Sequence, residues 1–151
     1  MILFAIPDIF LYLYYINPID LVNIINKMRK NIASSNAPAA IGPYSQAVDL
    51  NGTVYVSGQL PVNPKTGEMP DNISEQTRQA LENIGAILKE AGLTLNDVVK
   101  TTVLLKNMGD FGAMNQTYAL FFPLDKPARV CYEVAALPKN ALIEIDAIAG
   151  K

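Results

Sequence analysis

The chain has 151 residues, half of them apolar and 17% charged, which suits one folded domain with a packed core and excludes global disorder. Twelve basic against 14 acidic residues leave a net charge of −2, not the concentrated positive charge of a phosphate-backbone binder. There is no histidine and a single cysteine, Cys131, which excludes a Ser-His-Asp triad, histidine metal sites, an intrachain disulfide and any CxxC motif. Catalysis falls to carboxylates, arginine, lysine, tyrosine, backbone groups and water.

Residues 1–27 differ in texture from the rest. Nothing basic precedes Lys27, so the positive start of a secretory signal is missing. Pro7-Asp8 and Asn17-Pro18 interrupt the apolar character. The longest clean run, Ile9 to Ile16, falls far short of the roughly 20 residues that span a bilayer. Asn17-Pro18-Ile19-Asp20 reads as a helix start, and Leu21, Ile24, Ile25 and Met28 follow at helical spacing, which predicts one short amphipathic helix. Three readings stay open. The extension packs on the domain or on a neighbouring subunit; it reflects a start codon set too far upstream, with Met28 opening the true chain; or it anchors to a membrane surface, against which its scarcity of lysine and arginine counts.

Residues 28–151 show no linker, repeat or low-complexity tract. A first strand is expected near Arg29 to Ala33. Gln46 to Leu50 and Thr53 to Ser57 are strand-like runs around Asn51-Gly52, a strong hairpin signal because a type I′ turn needs positive φ at both central residues. Gly58 to Asp71 reads as loop. A helix is predicted from Ile73 to Ala91, opened by Asn72 with Glu75, closed by Gly92, and striped by Ala80, Leu81, Ile84, Ile87, Leu88 and Ala91. Val98 to Lys106 is β-branched and alternating, hence a strand. Asp110 is expected to cap a second helix carrying Phe111, Met114, Tyr118 and Phe121. Ala128 to Leu137 and Ala141 to Ala149 complete the chain as strands. The order ββ-α-β-α-ββ predicts an α/β (α+β) fold with one mixed sheet and two helices on one face. The other face, expected to carry Leu104 and Val56, then needs cover from another subunit.

Three residues stand out chemically. Arg129 lies in an apolar strand, where a guanidinium is costly unless an anion neutralises it. That anion is either Glu133 or Glu144 in a structural ion pair, or a ligand carboxylate received by two parallel hydrogen bonds; an edge position with the head in water is the third option. Glu144, in Leu-Ile-Glu-Ile-Asp, is either the partner of a structural donor or a carboxylate that deprotonates a water. Cys131 shares the strand face of Arg129 and reads as a small buried hydrophobe whose backbone, rather than its sulfur, meets a ligand. Tyr44, in Gly-Pro-Tyr-Ser-Gln, is either a core ring or a phenol at a pocket mouth. Ser57-Gly58-Gln59 closes a strand at a glycine that admits a close approach. No dinucleotide or P-loop fingerprint occurs.

These segments together resemble the reactive intermediate deaminase family (Rid, formerly YjgF), the RidA branch in particular. The resemblance rests on Ala-Pro-Ala-Ala-Ile-Gly-Pro-Tyr-Ser-Gln at 37–46, Val-Ser-Gly-Gln-Leu-Pro-Val-Asn-Pro-Lys-Thr-Gly at 56–67 and Gln-Ala-Leu-Glu-Asn-Ile at 79–84. Pro-Ala-Arg-Val-Cys at 127–131, Val-Ala-Ala-Leu-Pro at 134–138 and Ile-Glu-Ile-Asp-Ala-Ile-Ala at 143–149 follow in the same order. It spans residues 28–151 and none of 1–27. It implies a chorismate-mutase-like homotrimer with clefts between subunits. The implied activity is hydrolysis of 2-imino acids, released as enamines by pyridoxal-phosphate dehydratases, to 2-keto acids and ammonia. No cofactor or metal is implied, no nucleic-acid or membrane partner is expected, and the expected setting is cytoplasmic. By the resemblance Arg129 holds the substrate carboxylate, Glu144 activates water, and Cys131 contributes backbone contacts. Tyr44, Ser57, Gly58 and Asn115 line the pocket, with Tyr118 beside them. Two features depart from the branch: Val130 stands where serine is common, and the connection from Phe122 to Arg129 is short. Both bear on substrate range. The same cleft could instead serve a non-catalytic keto-acid-binding regulator, or a ribonuclease or translation inhibitor, against which the acidic balance and missing histidine count.

Overall fold

The computed structural model describes residues 17–19 and 29–151. Of the helix expected near residue 18, only its opening is described: the Asn17 side chain accepts a hydrogen bond from the Ile19 N–H at 2.9 Å. The stretch from Leu21 to Met28 lies outside the described residues. The elements are β1 (Arg29–Ile32), β2 (Ala47–Leu50), β3 (Thr53–Gln59), α1 (Ile73–Glu90), β4 (Val98–Leu105), α2 (Phe111–Phe121), β5 (Ala128–Glu133) and β6 (Ile143–Gly150). Among the described residues no helix is long and apolar enough to cross a membrane.

The six strands form one mixed sheet in the order β1-β2-β3-β6-β4-β5. Every neighbouring pair is antiparallel except β4 and β5, which α2 joins as a crossover. The β2–β3 hairpin turns at Asn51 (φ 55°) and Gly52 (φ 83°), the positive pair that a type I′ turn demands. Helix α1 begins where the Asn72 side chain accepts from the Glu75 N–H at 2.9 Å. It ends where Gly92 (φ 70°) turns left-handed and the Leu93 N–H reaches back to the Leu88 carbonyl, a Schellman closure. Its stripe of Ala80, Leu81, Ile84, Ile87 and Leu88 is fully buried against the sheet. Each of its large side chains contributes about 1.5–3 kcal/mol through burial.

Several local expectations are corrected. Asp110 makes no side-chain cap; a 3₁₀ turn at Met108–Asp110 precedes α2, and Asn107 caps that turn by accepting from the Gly109 N–H at 2.8 Å. The apolar face of α2 is Met114, Thr117 and Tyr118, continued by Phe122. Phe111 is exposed, whereas Phe121 packs, partly buried, against the core, with the Arg78 guanidinium carbon of α1 6.0 Å from its ring centre. Strand β3 continues through Gly58 to Gln59, while β5 stops at Glu133. Val56 is buried beneath the helices rather than on the far face, because it pairs with Ala47 and Ala147 in the core layer.

The face of the sheet away from the helices carries Tyr55, Leu50 and Tyr132, all exposed. Leu104, Val130 and Ile148 lie half-buried among them, as strand register requires. It is an apolar-rich surface interspersed with Glu144 and Asp146.

Candidate active site

The expected site residues fall into two groups, and the sheet separates them. Arg129 pairs with Thr101 across β4–β5, and Thr101 pairs with Ala147 across β4–β6. Directly paired residues share a face, so Arg129 lies on the helix side. Glu144 pairs with Leu104, and Leu104 with Tyr132. Tyr132 is three residues beyond Arg129, which places it and Glu144 on the opposite face.

On the helix side, Arg129 opens onto a cavity of about 360 Å³ that it lines with Asn115, Tyr118, Ala119, Phe122, Lys126 and Pro127. Its guanidinium carbon stands 4.6 Å from the ring centre of Tyr118 and 5.7 Å from that of Phe111, within cation–π range. Among the described residues no carboxylate approaches it to ion-pair distance. Glu133 instead accepts from the Met108 N–H at 2.7 Å, and Glu144 is across the sheet, so neither candidate structural partner pairs with Arg129 within the chain. Cys131 follows on the same face, packed against the core. Burial pushes its thiol pKa up, partly offset by Arg129, which disfavours a thiolate nucleophile.

On the other side, Glu144 shares a cavity of about 310 Å³ with Ile41, Tyr44, Ser57, Gly58, Leu60 and Pro138. The β3–β6 register shifts between Val56 and Gln59, and at this irregularity the Glu144 carboxyl lies directly over Gly58. A methyl group placed on Gly58 would sit 2.9 Å from Glu144 Cδ. The glycine is thus required by a close side-chain approach, as the sequence indicated. Burial raises the Glu144 pKa, and the Asp146 carboxylate two residues on raises it further. Asp146 is itself tied to the Thr102 N–H at 3.0 Å. The Ser57 hydroxyl donates to the Ser45 carbonyl at 2.7 Å. Tyr44 is not a core ring: it is exposed, on the loop before β2, and its phenol oxygen accepts from the Ile41 N–H at 3.4 Å. Ile41, Leu60 and Pro138 carry no sequence signal that separates them from ordinary loop residues; only the fold gathers them.

The Endoribonuclease L-PSP family profile matches residues 34–151. The chain belongs to the Rid/YjgF (L-PSP) family. Among Rid relatives, the 2-iminobutanoate/2-iminopropanoate deaminase of Escherichia coli K12 is 55% identical over 125 residues, covering 81% of this chain and 98% of that one. The deaminase of the same name from Mus musculus is 52% identical over 123 residues, covering 81% and 91%. The solved structure of the E. coli YjgF gene product matches with a TM-score of 0.79 at 54% identity, covering 81% and 98% of the two chains. That of E. coli TdcF with bound serine also reaches 0.79, at 46% identity and the same coverage.

Proposed function

We propose that this Rid protein hydrolyses small 2-imino acids, of the 2-iminobutanoate and 2-iminopropanoate type, to 2-keto acids and ammonia, with residues 28–151 as the catalytic domain. The observation that carries this reading is Arg129: a half-buried cation lining a cavity, with no carboxylate partner among the described residues. Such a group is built to receive an anion. The names of the E. coli and mouse relatives supply the class of anion.

Arg129 takes the substrate carboxylate through two N–H donors, with Asn115 and the Cys131 backbone beside it. Glu144 orients a water and removes its proton as the oxygen attacks the imine carbon. Glu144 passes that proton to the imine nitrogen, giving a neutral carbinolamine. It then takes the carbinolamine hydroxyl proton and delivers it to the amine, so that the C–N bond breaks, ammonia leaves and the hydroxyl oxygen becomes the keto oxygen. Water supplies the keto oxygen, and no electrons leave or enter. A carboxyl with a raised pKa serves both directions of proton transfer. An imine carbon is already electrophilic, so capture, a placed water and a proton path suffice.

Opposite faces of one sheet cannot close on one small substrate. We therefore place the reaction between copies of the chain in a homotrimer, the Glu144 cavity of one copy meeting the Arg129 cavity of the next. The exposed apolar sheet face supports that assembly.

The test couples the purified protein to a pyridoxal-phosphate threonine dehydratase with semicarbazide competing for the imine. Faster keto-acid formation and less semicarbazone are expected; no change in partition would refute the reading. A second reading, a carboxylate-binding regulator, is favoured by the relative solved with bound serine. It predicts Arg129-dependent keto-acid binding with no ammonia release.

A further inference from the structure

We propose that Tyr118 is a positioning residue for the anchoring arginine: its ring face holds the Arg129 guanidinium where a carboxylate otherwise would. The proposal rests on the reading of Arg129 as the substrate anchor. A carboxylate partner would fix the guanidinium but would occupy two of its donors and cancel its charge. An aromatic face attracts the cation through the ring quadrupole and accepts none of the in-plane N–H groups as a lone-pair acceptor would. The cation is oriented while its donor edge stays available.

The platform is itself locked. The Tyr118 hydroxyl shares a buried 2.8 Å hydrogen bond with Thr101 Oγ1. Its ring packs against Phe122, with ring centres 4.6 Å apart. Thr101 is the residue directly paired with Arg129 in the β4–β5 ladder. Helix α2, strand β4 and strand β5 therefore form a closed circuit: arginine to ring, phenol to threonine, threonine back to the arginine's own backbone. Phe111, itself exposed, borders the same cation at 5.7 Å. A tyrosine serving only as core filling has no need of this registration, since a phenylalanine or leucine would fill the space without a buried hydroxyl to satisfy.

The experiment grades the ring without changing its shape. Tyr118→Phe is compared with Tyr118 replaced by mono-, di- and trifluorinated phenylalanine, and with Tyr118→Leu. Kd for 2-oxobutanoate is measured by calorimetry, and kcat and KM by the dehydratase-coupled assay. Tyr118→Phe, which keeps the ring and loses the bond to Thr101, sets the reference Kd for the fluorinated series. Kd and KM should then climb with each fluorine, reaching roughly 5- to 30-fold in Tyr118→Leu, while kcat moves less than about threefold. Thermal midpoints across the fluorinated series should coincide, which separates the effect from packing. A flat Kd across that series, or a rise in KM matched by an equal fall in kcat, would overturn the platform. A protein that binds 2-oxobutanoate but hydrolyses no imine sinks the deaminase reading instead, and the graded Kd still decides the role of Tyr118.

Discussion

Replacing Gly58 by alanine adds one methyl group at the point where β3 passes under Glu144. That methyl carbon would stand 2.9 Å from Glu144 Cδ and closer still to its carboxyl oxygen, against an ordinary carbon–carbon contact of about 3.5–4.0 Å. Gly58 is not among the positive-φ residues, so the backbone accepts alanine. The obstruction is the end of a flexible side chain, which swings aside by about 1 Å at small energetic cost. Stability should therefore change by less than about 1 kcal/mol. The reaction should suffer far more, because a 1 Å misplacement of a catalytic group is worth about 10²-fold and general-base assistance about 10²–10⁴ in rate. The expectation is a kcat lower by about 10²-fold with KM within about threefold, since Arg129 is untouched across the sheet. On a Glu144→Gln background the same change should lower kcat by less than about twofold more, because the group it displaces has already lost its function. Dehydratase-coupled kinetics and urea melts measure both. A Gly58→Ala protein that keeps its kcat within about threefold would show that Glu144 does not act from the position it holds here.

Other consequences follow from the same geometry. Because the Glu144 pKa is raised by burial and then by Asp146, kcat should increase with pH as this carboxyl ionises. Asp146→Asn should move that acid limb to lower pH, and an unmoved limb would remove Glu144 from the role. The folded protein holds this proton more tightly than the unfolded chain does. The stability it contributes is thus complete below the ordinary value of 4.5 and is lost as pH climbs through the raised value. Thr101→Val leaves the buried Tyr118 hydroxyl without its 2.8 Å partner and should cost about 1–3 kcal/mol in urea unfolding; a loss under about 0.5 kcal/mol would contradict the bond's importance. Leu81→Ala, at a fully buried position of α1, should cost about 2–5 kcal/mol, read from the same melts.

Local chemistry was legible in the sequence where a single turn or cap decides the outcome. Asn51-Gly52 specifies its hairpin through φ alone, and Asn72 and Gly92 bracket α1 because each satisfies the helix end beside it. Val54-Tyr55-Val56 alternates legibly, but the alternation does not say which face meets the helices; pairing with Ala47 and Ala147 puts Val56 in the core layer. Phe111 resembles a core residue by type, yet it opens α2 directly after the 3₁₀ turn and stays exposed. The polar and charged residues of the candidate site, Arg129, Glu144, Tyr44, Ser57 and Asn115, were visible, while Ile41, Leu60 and Pro138 were not. Nor was the division of the site, since the faces of Arg129 and Glu144 are related only through the register of β5 on β4 and β4 on β6. The Tyr118 platform likewise depends on a contact between helix and strand that no spacing along the chain encodes.

The division of the site between two copies of the chain is tested most directly by complementation. Arg129→Ala and Glu144→Gln proteins, each expected to keep about 1% or less of the parent rate alone, are unfolded together in equal amounts, refolded, and assayed against the refolded parent. If each site takes its arginine from one copy and its carboxylate from the next, random mixing rebuilds about one site in four, and the mixture should recover about a quarter of the parent kcat per chain. Mixed trimers verified by native mass spectrometry that stay as inactive as either variant would contradict the shared site.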